Sequence, residues 1–126
     1  MNVDRSRIGG YSILAIAYAS EKKWKDLDTV LSEAEKNVPD DYSPYFLAGR
    51  TLADSGADNA RGERYLRHYL EQEPELNGPK PSRAHWRLGQ ILEKEGRKND
   101  AVAEYRIATQ MEPQFELAQR DLKRLR

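Results

Sequence analysis

Ser82-Arg-Ala-His-Trp-Arg-Leu-Gly-Gln-Ile-Leu-Glu-Lys-Glu-Gly96, continued by Arg97-Lys-Asn-Asp-Ala-Val-Ala-Glu-Tyr-Arg-Ile-Ala-Thr-Gln-Met-Glu-Pro113-Gln-Phe115, is the stretch whose reading decides the fold. Leu88 and Leu92 in its first half, and Ala101, Tyr105 and Ala108 in its second, recur at three- and four-residue steps. That spacing predicts two amphipathic helices. Gly96 breaks the run between them and Pro113 closes it. Gly89 in the first helix and Ala101 and Ala108 in the second are small, so the pair can approach closely.

Working outward, the same punctuation recurs at Gly9-Gly10, Pro39, Pro44, Gly56, Pro74 and Gly78-Pro79-Lys80-Pro81. The segments between these breakers predict helices over 8–21, 24–37, 43–55, 59–73, 82–95, 98–111 and 114–125. None alternates with the two-residue period of a strand, so the chain reads as all-α. Pro39 and Pro74 lie 35 residues apart and Pro74 and Pro113 lie 39 apart. Removing the five-residue linker 77–81 from the second gap leaves 34. A recurring unit of this length built as helix-turn-helix indicates a repeat architecture.

The pattern resembles the tetratricopeptide repeat family. Its 34-residue unit carries a loose signature of aromatic, Leu-Gly, aromatic, then Ala, aromatic, Ala and Pro. Repeat three, 82–115, supplies Leu88, Gly89, Leu92, Gly96, Ala101, Tyr105, Ala108 and Pro113, with His85 where the family usually has Trp. Repeat one, 8–41, supplies Tyr11, Leu14, Ala15, Tyr18, Trp24, Leu31, Ala34 and Pro39, with Leu27 in place of the usual Ala. Repeat two, about 42–76, supplies Tyr45, Gly49, Leu52, Gly56, Gly62, Leu66 and Pro74. It needs one extra residue in the Ala57–Ala60 turn, and Ala48 and Tyr69 depart from the size pattern. The resemblance implies a single domain: a right-handed α-solenoid of three antiparallel helix pairs and about seven helices. Phe115, Ala118, Leu122 and Leu125 would seat the tail 114–126 as a capping helix, with Arg120, Lys123, Arg124 and Arg126 in solvent. The N-terminal end has no comparable polar cap and begins almost directly with Ile8–Tyr11, so the chain is expected to be cut from, or to pack against, something larger.

Charge and composition narrow the function. Twenty-one basic residues balance twenty-one acidic ones, which argues against a nucleic acid or an anionic membrane as the partner. The mean hydropathy is -0.91 and no apolar run approaches the roughly 18 residues that span a bilayer. Met1–Gly10 lacks the apolar core of a signal peptide. The expected location is the cytoplasm, with the periplasm left open by the absence of cysteine. No cofactor or metal is expected, because His68 and His85 are the only histidines and neither stands in a ligand spacing. His85 is expected to be packed and structural. Asp26-Asp28 and Asp40-Asp41 read as helix-end residues rather than as a catalytic carboxylate pair. The chain is not expected to be an enzyme.

A binding role has more support. In the family the first helix of each pair lines a concave groove. Carried over, this implies a surface of Ser12, Ile13 and Ile16, then Phe46, Leu47 and Arg50, then Arg83, Trp86, Arg87 and Gln90. It would be apolar at one end and basic at the other, with Phe46 and Trp86 as aromatic anchors and the arginines pairing with carboxylates. Arg83 and Arg87 match two positions by which one branch of the family holds chaperone C-termini. Ser12, Ile16 and Leu47 replace the Lys, Asn and Asn of that clamp. The expected function is therefore a scaffold for an extended peptide or partner protein. The alternative is an accessory region of a larger polypeptide, with the apolar residues docking to a neighbouring domain or to a second copy of the chain as a homodimer.

Overall fold

The computed structural model describes residues 8–72 and 78–126. The Met1–Arg7 segment, the end of the second repeat with Pro74, and Asn77 at the head of the linker lie outside the described residues. Seven helices occur among those described: α1 (Ile8–Ser20), α2 (Trp24–Asn37), α3 (Ser43–Ser55), α4 (Asn59–Leu70), α5 (Pro81–Lys94), α6 (Lys98–Met111) and α7 (Glu116–Leu125). No strand is present among them. The expected boundaries hold to within a residue or two, apart from the end of α4: expected to reach residue 73, it stops at Leu70, ahead of a turn at Glu71 and Gln72. Pro81, assigned to the linker from sequence, instead opens α5. Its fixed φ and missing N–H suit the first helical position.

The turns inside the first and third pairs are built alike. The Lys23 N–H donates to the Tyr18 carbonyl at 2.9 Å and Lys22 N–H to that of Ala19 at 3.3 Å. In the third pair Arg97 N–H donates to Leu92 at 2.9 Å and Gly96 N–H to Glu93 at 3.0 Å. Both are paired six-to-one and five-to-two closures that satisfy helix-end carbonyls, and they require a left-handed residue. Gly96 meets the requirement at φ 78°, whereas Lys22 meets it at φ 60° against the Cβ penalty. The middle turn carries the extra residue and differs. There Gly56 is left-handed, and Asp58 starts α4 by accepting the Arg61 N–H at 3.0 Å.

Within each pair the helices pack on one another, and α1 also packs on α3, which in turn packs on α5. Gly49 faces Leu66 of α4, and Gly89 faces Tyr105 of α6. A Cβ at Gly89 would sit 2.5 Å from the Tyr105 ring. The glycine thus lets α5 approach a fully buried aromatic. Two hydrophobic clusters result. Tyr11, Ala15, Leu27, Val30, Leu31 and Ala34 join Ala48, Leu52 and Tyr65 in one. Phe46, Leu66 and Tyr69 join Trp86, Leu88, Ile91, Leu92, Tyr105 and Phe115 in the other. The α3–α4 pair contributes to both, so the core runs along the chain from pair to pair. Each buried Leu or Ile contributes roughly 2–3 kcal/mol. Among the described residues no helix is long and apolar enough to cross a membrane.

Candidate functional site

Because α3 lies between α1 and α5, the residues singled out from sequence come from adjacent helices. They do not form the surface as expected. Phe46 and Trp86 are buried, at 6% and 7% exposure. Phe46 packs on Tyr69 with ring centroids 5.5 Å apart, and Trp86 meets Phe115 edge-on at 5.3 Å. This corrects the reading of the two rings as open anchors: apolar area of that size is worth more under a neighbouring helix than in water. Ile13 is exposed, while Ser12, Ile16, Leu47, Arg50, Arg83, Arg87 and Gln90 are partly exposed.

Two of the three arginines are held by the chain's own carboxylates. Arg83 lies over the Phe115 ring at 3.8 Å and donates to Glu112, from Nη2 to Oε2 at 3.0 Å. Ser82 donates to the other Glu112 oxygen at 2.7 Å. The hydrogen bond from Arg83, then that from Ser82, holds the Glu112 carboxyl below its ordinary range. Arg87 reaches from α5 to Asp54 of α3, donates to Gln90 at 3.2 Å and lies 4.6 Å from the Trp86 ring. Asp54 stands one turn beyond Arg50, yet pairs with Arg87. Arg50 has no ion-pair partner among the described residues.

Trp86 has a second role that sequence spacing did not show. Its indole N–H donates to Asp121 of α7 at 2.8 Å, and Asp121 is 4% exposed. Arg124 donates to Asp121 at 3.2 Å and to both oxygens of Glu93, at 2.7 and 2.8 Å. Tyr105 donates its hydroxyl proton to Glu93 at 2.9 Å. The Arg124 hydrogen bond is the main reason the Glu93 carboxyl lies below its ordinary range. Burial, reinforced by the Glu93 carboxylate, pushes the Tyr105 phenol up. Phe115 and Ala118 are buried as a capping helix requires. Arg124 is exposed as expected and also ties α7 to α5, because the Glu93 carboxylate stands opposite it. Asp121 could have been noticed as the acid four residues before Leu125 in a basic tail, but nothing in the sequence marks its partner.

Residues of α2 and α4 line a cleft of about 670 Å³, among them Trp24, Lys25, Asp28, Ser32 and Arg61. Arg61 lies 5.1 Å from the Trp24 ring and donates to Asp28 at 2.6 Å. Tyr65 also donates to Asp28, at 2.6 Å. Burial alone would raise the Asp28 carboxyl, but these hydrogen bonds outweigh it and hold it lower. Burial and the Asp28 bond push the Tyr65 phenol up to about 12. His68 contacts Glu35 at 3.0 Å, and His85 is packed against Glu104 at 2.7 Å. Asp41 accepts the Ser43 N–H at 2.9 Å at the start of α3, the helix-end role read from sequence. Asp28, read the same way, is instead engaged across helices by Arg61. Among the described residues no group of three His, Cys, Asp or Glu converges as a metal site. Comparison with protein-family models, with curated proteins and with solved structures finds no match to this chain.

Proposed function

We propose that this chain is a non-catalytic protein-interaction module: a right-handed α-solenoid of three tetratricopeptide-like antiparallel pairs closed by α7. It binds an extended peptide or a partner protein along the face formed by its first helices. The solenoid reading is supported by the 34-residue register, by the matching turn hydrogen bonds at Lys22 and Gly96, and by the succession of α1 on α3 and α3 on α5. The binding surface is centred on Leu47, Arg50, Arg87 and Gln90, with Ser12, Ile13 and Ile16 at its uncharged end. Phe46 and Trp86 form its floor rather than its anchors, and Arg83 braces the end of α5 against Glu112.

Arg50 carries the reading. Its two neighbours on this face are neutralised by Glu112 and Asp54, whereas Arg50 has Leu47 one turn away and no partner carboxylate among the described residues. A guanidinium beside an apolar side chain suits a peptide that pairs an acidic residue, or its own C-terminus, with an aliphatic one. Peptide-display selection on the purified chain, counter-selected against Arg50→Glu, tests this. Acidic peptides should be enriched and should lose about tenfold or more in affinity to the variant. Enriched peptides that bind both proteins alike would place recognition elsewhere, and no enrichment with both proteins folded would overturn the reading.

A further inference from the structure

Helix α1 differs from the six others in carrying no charged residue at any of its thirteen positions. One face of it is accounted for: Tyr11, Ala15 and Ala19 are at most 1% exposed in the N-terminal core, and Leu14 and Tyr18 pack against the same cluster. Opposite them run Ile13, Ile16, Ala17 and Ser20, at the i, i+3, i+4, i+7 spacing of a single helical face. Ile13 is 64% exposed, more than any other large apolar side chain described, and Ile16 belongs to neither core cluster. A helix apolar on every side belongs in an interior. Here, among the described residues, Ile13 and Ser20 on one face of it are exposed and Ile16 and Ala17 partly so.

We propose that this stripe is a homodimer contact, with α1 of one copy crossing α1 of a second about a two-fold axis near Ile16 and Ala17. Charge complementarity selects the occupant. A surface without ions needs a partner without ions, because a charge buried against it would lose its water and gain no partner. The other large exposed apolar side chains are Met111 and Leu117, at 54% and 41%. Met111 stands beside the ion cluster of Glu112 with Arg83 and Lys80, and Leu117 has Arg120 and Arg124 one and two turns on, so seating either on α1 would desolvate charges. The Met1–Arg7 segment carries Asp4, Arg5 and Arg7 and is no better matched. The chain's own uncharged complement to α1 is α1, and a two-fold contact uses the same patch on both sides. Ala17 and Ser20 are small enough for a close helix crossing. The stripe from Ile13 to Ser20 is about 10 Å long, short of a standard interface, so association should be weak, with a dissociation constant on the order of 100 µM. The contact takes the uncharged end of the proposed groove and leaves Leu47, Arg50, Arg87 and Gln90 free for a partner.

Sedimentation velocity on the full chain, from roughly 5 to roughly 500 µM so as to bracket that constant, tests the proposal. The mass should double and then stop rising. Ile13→Lys should stay monomeric throughout with an unchanged far-UV spectrum, since the side chain lies in water. Ile16→Lys and Ile16→Glu should each be monomeric alone and associate when mixed, because the axis brings the two positions together. A wild-type chain monomeric at the highest concentration overturns the dimer and leaves the stripe to a different protein. Association that survives Ile13→Lys, open-ended growth in mass, or a mixture of the Ile16 variants that stays monomeric would each overturn the two-fold α1 contact.

Discussion

At the C-terminal end, α7 lies on α6 and reaches α5 through Trp86–Asp121 and Glu93–Arg124, so the last apolar face is covered by a helix whose outer side is ionic. At the N-terminal end, α1 exposes Ile13 on a helix without charges, and α2 touches α3 far less than α4 touches α5 or α6 touches α7. The two ends are built from similar pairs, down to the hydrogen bonds of their turns, yet among the described residues one is covered by a further helix and the other exposes Ile13. A helix pair of this kind leaves an apolar face that it cannot bury alone. A short basic helix suffices to cover it, provided a buried acid and an opposing carboxylate receive its arginine.

The contrast can be broken most severely at Gly89. Gly89→Leu forces a side chain into the Tyr105 ring and should cost about 3 kcal/mol or more, collapsing the covered end. Thermal unfolding followed by circular dichroism would check this, and an unchanged melt would refute the register. Next in size, Asp121→Ala strands the buried Trp86 indole N–H and removes one acceptor from Arg124. A loss of about 1–3 kcal/mol is expected, with amide exchange rising in α7 and α5 before α1 and α2.

Acid should act on the same end. The Glu93 and Glu112 carboxyls titrate lower folded than at their ordinary value of 4.5. The folded chain therefore binds fewer protons there, and the stabilisation is complete above that value and lost as pH falls through the lowered ones. Both pairs are partly exposed, so each contributes at most about 1 kcal/mol. The Trp86 indole resonance should shift below pH 4.5 as α7 loosens. A resonance that stays put until global unfolding would show that α7 does not depend on them. The smallest effect sharpens the likeness of the turns. Lys22→Gly should raise stability by about 0.5–1 kcal/mol by relieving the left-handed lysine, and Gly96→Lys should lower it by a similar amount. Equal melts for both variants would mean that the turns are not energetically equivalent.

Helix extents, the all-α class and the close approach at Gly89 were legible because each follows from local properties: periodicity, breakers, and the absence of a Cβ. The candidate surface was legible only in outline. Ile13, Leu47 and Arg50 are accessible as their positions implied, but Phe46 and Trp86 are covered by Tyr69 and Phe115. Arg83 and Arg87 are held by carboxylates 29 and 33 residues away in sequence. Spacing along one helix states which face a residue occupies. It does not state whether another helix, entering from a distant part of the chain, covers that face. The sequence by itself thus determined the elements, their spacing and the uncharged character of α1. The tertiary structure alone decided that Arg50 has no carboxylate partner among the described residues and that Phe46 and Trp86 are buried. It also decided that Asp121, one acid among basic residues, is buried where it fastens the end of the molecule, because pairing and desolvation depend on which surfaces meet.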